Sequence, residues 1–337
     1  MDPLTQGLLG ATCGQALYGH RLGKSAVTWG ALVGMAPDLD ILAAPFAPTA
    51  EWLWHRGPTH ALGFGLVVGP LLGWLLWKRK GGRLADWAGL AVVALVTHPL
   101  LDIFTSYGTQ LFWPFSRARL AFDAVAIIDP AYSLVLVIGI VLGLRQGAET
   151  GRARIAAWTA LALSSAYLAL GLGVNARAEA IARAQLVAEG VRDVRVASYP
   201  TILQLPFRRI VARRGDEVRI GWLSVLAPRP IAWRSFVAAS GPLVDAARQT
   251  REARLFEWFS DGQATARVRR TPGGAIVELD DLRFGVPGPP QDGIWGVRVH
   301  LDSAGRPVGP VERFRRPVGV STGEAFRELW RETLGVR

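Results

Sequence analysis

The chain has 337 residues, half of them hydrophobic, with a mean hydropathy of +0.24 and a formal net charge of +11. Its single cysteine, Cys13, excludes an intramolecular disulfide and a thiolate metal cluster. The apolar content is uneven: residues 1–174 are mostly apolar runs broken by short Gly, Pro and Arg clusters, while polar and apolar residues alternate from Asn175 onward. Two parts are therefore predicted, a membrane domain over 1–174 and a soluble domain over 175–337.

Along the first part, Leu4 to Tyr18 is short and Gly-rich and fits a half-buried or re-entrant helix. Longer apolar runs follow at Val27 to Phe46, His60 to Trp77, Trp87 to Leu101, Ile127 to Leu144 and Ile155 to Val174. Each approaches or reaches the roughly 20 residues that span a bilayer core, so five to six helical membrane segments are expected. The start carries Asp2 rather than basic residues and no small-residue cleavage site follows, so no cleaved secretory signal is expected. Basic residues cluster in three short connections, His20 to Lys24, Lys78 to Arg83 and Arg145 to Arg154. With six segments these are alternate loops, and retention of Lys and Arg on the cytoplasmic side puts all three inside. The loops Ala47 to Pro58 and Thr105 to Ala126, and everything after Asn175, then lie outside.

In the second part "NARAEAIARAQLVAEG" reads as a helix leaving the membrane. After it, "FRRIVARRGDEVRIGWLSVL", "ARVRRTPGGAIVELDDLRF" and "GIWGVRVHLDSAGRPVG" each show two alternating runs around a Gly-containing turn, the signature of a hairpin. Helical patterns cover Pro242 to Phe259 and Thr322 to Thr333. The fold class expected is thus mainly α, a polytopic helical membrane domain followed by a soluble α+β domain with an antiparallel sheet. The many arginines of this part are scattered on both sides of the expected strands and no nucleic-acid motif appears, so no nucleic-acid partner is expected.

Ionisable groups in or beside apolar segments are costly and mark functional positions. Here they are Asp38 and Asp40 in "APDLD", His55 and His60 in "HRGPTH", His98 and Asp102 in "HPLLD", and Asp123 and Asp129. On the expected topology all lie at the external ends of segments or in external loops, so separate pieces of chain deliver them to one membrane face. Imidazole with carboxylate suits zinc, manganese or iron. His98 and Asp102 are four apart and share a helix face; Asp38 and Asp40 are two apart, facing apart on a helix but able to share a site in an extended or turn conformation. Read singly, His98 with Asp102 also fits a capping pair, the two-histidine loop also fits side chains facing headgroups, and Asp129 before Pro130 also fits an N-cap. Jointly they predict a metal site built from Asp38, Asp40, His55, His60, His98 and Asp102. His20 and His300 have no partner motif and are read as non-ligands.

"MDPLTQGLLGA", "PDLD", "HRGPTH", "HPLLDIFTSYGTQLFWPFS" and "IIDPAY", in this order and spacing, resemble the bacterial membrane-bound metal-dependent hydrolases called YdjM-like, over the first half of the chain. That family is distantly similar to zinc-dependent phospholipases C and P1-type nucleases, which hold zinc through His and Asp and cleave phosphodiesters. The resemblance implies an inner-membrane protein with one to three divalent ions, Zn2+ or else Mn2+. One departure matters: where the family opening has a histidine, this chain has Gln6, a poor zinc ligand.

These readings combine into a membrane-embedded metal-dependent hydrolase. Asp38 or Asp40 bridges ions or acts as general base, and Arg56, with Arg117 and Arg119, grips an anionic group of the substrate or simply faces anionic lipid. The aromatic run "SYGTQLFWPF" sits at headgroup level, which suits an amphiphilic ester, a membrane lipid or lipid-linked precursor. The alternative is a non-catalytic, metal-stabilised membrane scaffold or transport component.

Overall fold

A computed structural model describes residues 1–46, 51–287, 293–316 and 322–335. Met1–Leu172 with Ile202–Gln204 make one compact unit, and Gly173–Thr201 with Leu205–Arg337 a second.

The first unit is built from helical hairpins. Asp2 caps α1 (Pro3–Leu22) by accepting from the Thr5 amide, with Pro3 in the first turn, where its missing N–H costs nothing. The chain reverses at Gly23 into α2 (Lys24–Met35), whose helical path tightens into a 3-10 stretch over Ala36–Phe46. A short α3 (Glu51–Trp54) and a 3-10 turn, Pro58–His60, lead into α4 (Leu62–Lys80), which turns back as α5 (Leu84–Asp102). After an irregular segment come α6 (Pro130–Gln146) and α7 (Gly151–Ala188).

Small residues let these hairpins close. A Cβ on Gly10 would stand 2.2 Å from the Gly30 carbonyl oxygen, and one on Gly73 would stand 2.3 Å from Ala88 Cα, so the backbones meet where only glycine fits. This is how helices pack where no hydrophobic driving force separates them from lipid. The basic turns of the hairpins gather at one end. Arg21 pairs with Asp86 at 2.7 Å, and a Cβ on Gly23 would touch the Glu149 carboxylate. The ends bearing Gln6, Asp38, His60 and His98 are the opposite ones.

Among the described residues two helices, α5 and α7, are long and apolar enough to cross a bilayer, or three if Glu51–His60 and α4, bent by 57° at their break, form one span. That is fewer than the five to six expected. The physical reason is visible in the first hairpin: α2 has 12 residues before it becomes 3-10, and α1 buries Thr5, Gln6, Thr12 and Gln15 along a Gly-rich face. At about 1.5 Å per residue, the 38 residues of α7 outrun the roughly 30 Å bilayer core. The run Ile155 to Val174 and the helix expected after Asn175 are therefore one continuous element.

The second unit holds two four-stranded antiparallel sheets, β1 (Arg195–Pro200), β2 (Phe207–Arg214), β3 (Glu217–Ser224), β4 (Arg234–Val237), and β5 (Ala264–Thr271), β6 (Gly274–Asp281), β7 (Trp295–Asp302), β8 (Pro307–Arg315), each in sequential order. Between them lie α8 (Pro242–Arg248) and α9 (Arg251–Phe259), split where Thr250 caps the second helix, and α10 (Thr322–Leu334) closes the chain. The three expected hairpins are β2–β3, β5–β6 and β7–β8. The edge strands β1 and β4 carry weaker patterns and escape the sequence. Ala178, Ala182 and Leu186 of α7 pack on Val196, Ile210 and Leu223 of the first sheet.

Candidate metal centre

Three elements converge on one buried point. α5 continues through Pro99 to Asp102, so His98 and Asp102 stand one turn apart on its last turns. The 3-10 stretch after α2 begins beside Pro37, a residue that suits the end of an α-helix, and carries Asp38 inward. Pro58 opens the turn that presents His60, fully buried.

The imidazole and carboxylate atoms lie close together. His60 Nε2 lies 3.3 Å from Asp38 Oδ1 and 3.5 Å from Asp102 Oδ2; His98 Nε2 lies 3.5 Å from Asp38 Oδ1 and 3.6 Å from Asp102 Oδ2. Ligands of a tetrahedral zinc with bonds of about 2.0–2.1 Å stand roughly 3.3 Å apart. Asp38, His60 and His98 thus make a triad whose geometry can hold a metal ion, each offering an atom within 4.8 Å of the others. His98 Nε2, Asp102 Oδ2 and the second Asp38 oxygen are buried with no hydrogen-bond partner. Buried polar atoms are rarely left so, and an unpartnered imidazole nitrogen 3.6 Å from an unpartnered carboxylate oxygen is what a cation would satisfy.

Asp102 is held from its other side. Its Oδ1 receives Gln6 Nε2 at 3.0 Å, the Arg56 guanidinium at 3.2 Å and the Met1 amino group. Gln6, at the position where the resemblance implies a histidine, therefore anchors a carboxylate. Arg56 is buried as well: it donates to Thr105 Oγ1 at 2.7 Å and lies over the Tyr107 ring. Its charge is directed at Asp102. Arg119 donates to the carbonyls of Trp52, Tyr107 and Gly108, tying the loop after α5 to α3, while Arg117 is exposed.

Asp40 and His55 stand beside the triad. His55 Nδ1 is 2.7 Å from Asp40 Oδ1, and the Thr59 hydroxyl donates to Asp40 Oδ2 at 2.8 Å. In the 3-10 path Asp38 and Asp40 face apart, and they reach His60 at opposite edges of its ring. Asp129 lies elsewhere, as the N-cap of α6: it accepts from the amides of Ala131 and Tyr132 and from the Tyr167 hydroxyl.

Sequence reasoning missed two groups. The Gly34 carbonyl accepts from His98 Nδ1 at 2.6 Å, and a backbone oxygen leaves no mark in a sequence. Thr59 lies within the motif "HRGPTH", between the two histidines it could have been linked to, but a threonine beside a proline reads first as turn chemistry.

Residues 1–178 match the family described as YdjM inner membrane protein. A stretch of 95 residues is 37% identical to "Inner membrane protein YbcI" of Escherichia coli K12, covering 27% of this chain and 54% of that protein. Another of 101 residues is 32% identical to "Uncharacterized protein YfhP" of Bacillus subtilis 168, covering 28% and 29%. The chain thus matches about half the length of one relative and less than a third of the other. No solved structure matches the chain, so the distant likeness to phospholipases C and P1 nucleases has no structural support. The family match covers the helical hairpins and every residue of the buried His and Asp cluster, and on that ground the chain belongs to the YdjM inner membrane protein family.

Proposed function

We propose that this protein is a membrane-embedded metal-dependent hydrolase acting on an ester or phosphoester of an amphiphilic, lipid-like substrate. The observation that carries the reading is the unpartnered pair His98 Nε2 and Asp102 Oδ2, 3.6 Å apart, beside His60 Nε2 and Asp38 Oδ1. Asp38, His60, His98 and Asp102 would hold the ion, Zn2+ by the donor types, with Mn2+ as the other candidate. When bound, such an ion supplies water activated near neutral pH and polarises the ester oxygen.

The chain's own residues then divide the work. Asp38 presents one oxygen to both imidazoles and keeps the other unpartnered, so this second oxygen is the general base. Both oxygens of Asp40 are already engaged. Arg56 holds Asp102 in place and leaves substrate binding to other groups. Leu39, Leu42, Trp54, Phe112 and Phe115 are exposed on the segments that bear or follow the site, Phe115 at 96%. Such side chains suit lipid tails at the membrane interface. The basic turns at the other end of the hairpins favour an orientation with the site and the C-terminal unit outside the cytoplasm.

The burial of His60, His98 and Asp102 favours a second reading, a metal that only stabilises the helical unit. Elemental analysis of the detergent-purified protein beside a His98→Ala, Asp102→Ala double variant tests both. Near-stoichiometric metal in the wild type, lost in the variant, supports the centre. Faster turnover of micellar than of monomeric esters supports the hydrolase, and metal without turnover of any ester supports the stabilising role. Absence of metal after purification without chelator and attempted reloading overturns both.

A further inference from the structure

His60 is held from both edges of its ring, and the edges are not equivalent. Its Nε2 faces the carboxylates of Asp38 and Asp102, whereas its Nδ1 lies 3.0 Å from the Thr59 hydroxyl and 3.4 Å from Asp40 Oδ2. The Thr59 hydroxyl has one proton to donate. Asp40 Oδ2, 2.8 Å away, can only accept when ionised, so the Thr59 proton points there. Thr59 Oγ1 must then accept from His60, which puts a proton on Nδ1. Asp40 is fixed in turn by His55, whose Nδ1 is the donor to Oδ1 at 2.7 Å.

A directional chain results, His55 to Asp40 and His60 through Thr59 to Asp40. With Nδ1 as the donor, neutral His60 turns a lone pair on Nε2 toward Asp38 and Asp102. His98 reaches the same state by another route, donating from Nδ1 to the Gly34 carbonyl while its Nε2 stays unpartnered. Partners of this kind fix the tautomer and ring plane of a ligating histidine.

We propose that Thr59 and Asp40 are positioning residues of the metal centre, the hydroxyl and carboxylate together fixing His60 so that Nε2 is presented as a ligand. The proposal rests on the metal reading above. It places Asp40 and His55 in the layer behind the ligands. The 2.7 Å between His55 and Asp40 supports this, because it is hydrogen-bond spacing, shorter than the roughly 3.3 Å kept by two ligands of one tetrahedral ion.

The test uses the full chain in detergent and Co2+ as the probe, followed by its visible absorption and by competition with a chelator. Thr59→Val, which keeps the shape and removes the hydroxyl, should lower Co2+ affinity about 10- to 100-fold while the number of ions bound at saturation stays that of the wild type. Thr59→Ser should restore the affinity. Asp40→Ala should also weaken binding without removing the ion at saturation, whereas Asp38→Ala should remove it. Circular dichroism checks that helix content is unchanged throughout. Wild-type affinity in Thr59→Val, or failure of Thr59→Ser to recover it, overturns the positioning role. Loss of the ion at saturation in Asp40→Ala makes Asp40 a ligand and overturns the two-layer assignment. No Co2+ uptake by the wild type overturns the metal reading itself, and the positioning role with it.

Discussion

Both units bury charged side chains, but they treat them differently. In the second unit Arg283 lies on Asp281 through two parallel hydrogen bonds of 3.0 and 2.7 Å, between the rings of Phe259 and Phe284. Arg298 and Arg316 likewise pair with Glu278. In the first unit Asp102 is neutralised on one oxygen and left open on the other, and the open oxygen faces two imidazoles at 3.5 and 3.6 Å without a hydrogen-bond partner. Charge that is paired on every side holds a fold together. Charge that is anchored from behind and open in front is arranged for something that comes from outside the chain.

The sharpest way to break this contrast is to change the open side without changing its shape. Asp38→Asn keeps volume and one acceptor but removes the oxygen proposed as base and the negative charge proposed to hold the ion. Turnover of a responsive ester should fall by about 10²–10⁴, with unchanged helix content by circular dichroism. If activity survives, the unpartnered oxygen of Asp38 is not the base.

The closed side should respond in stability instead. Asp281→Ala leaves the Arg283 guanidinium buried without its counter-charge, and loss of one partner of a buried pair costs about 3–5 kcal/mol. Denaturant unfolding of the full chain, followed by the near-ultraviolet signal of the second unit, reads this out. Metal uptake should stay unchanged, and a loss of metal would show that the division between paired and open charge is drawn in the wrong place.

How much of this could be read from the sequence follows the same division. The open site was legible because His98, Asp102, Asp38 and His60 are polar residues in apolar surroundings, where each is expensive enough to demand a reason. The hairpins β2–β3, β5–β6 and β7–β8 were legible because alternation on either side of a glycine turn encodes pairing locally. What could not be read is what depends on partners far along the chain. Arg56 carries no sign that its charge goes to Asp102, and the Gly34 carbonyl carries none that it serves His98. The path of the apolar runs was not legible either, because apolar composition does not distinguish a straight helix from the 3-10 path after Met35, nor lipid-facing glycine from the close approach of Gly10 to Gly30.

Glycine packing gives a further, smaller test in the first unit. A side chain at Gly73 meets the Ala88 backbone, which cannot yield as a flexible side chain would. Gly73→Val should therefore push α4 and α5 apart, destabilising the unit by about 1–3 kcal/mol as overpacking typically does. Because His60 lies just before α4 and His98 lies on the last turns of α5, at the far ends from Gly73, metal affinity should drop with it. Thermal unfolding of wild type and variant with and without Zn2+ separates the two effects, since a metal-dependent gap between them appears only if the ligands have moved.

The smallest expected effect concerns pH and the second unit. Partial burial pushes the Glu278 carboxyl up, but the hydrogen bond from Arg298 and the charge of Arg316 outweigh it and hold the group below the usual carboxylate range. A carboxyl lowered on folding contributes stability that is present above its unfolded pKa, and that stability disappears as pH falls through the lowered folded value. Arg298→Ala should raise the folded pKa of Glu278 toward the unfolded one, shrinking this contribution at neutral pH while leaving stability below both values little changed. Unfolding midpoints measured from neutral to acid pH should then run parallel and lower in the variant, converging only at the acid end. Curves separated by the same amount at every pH would assign Arg298 a packing role on the Phe314 ring instead of an electrostatic one.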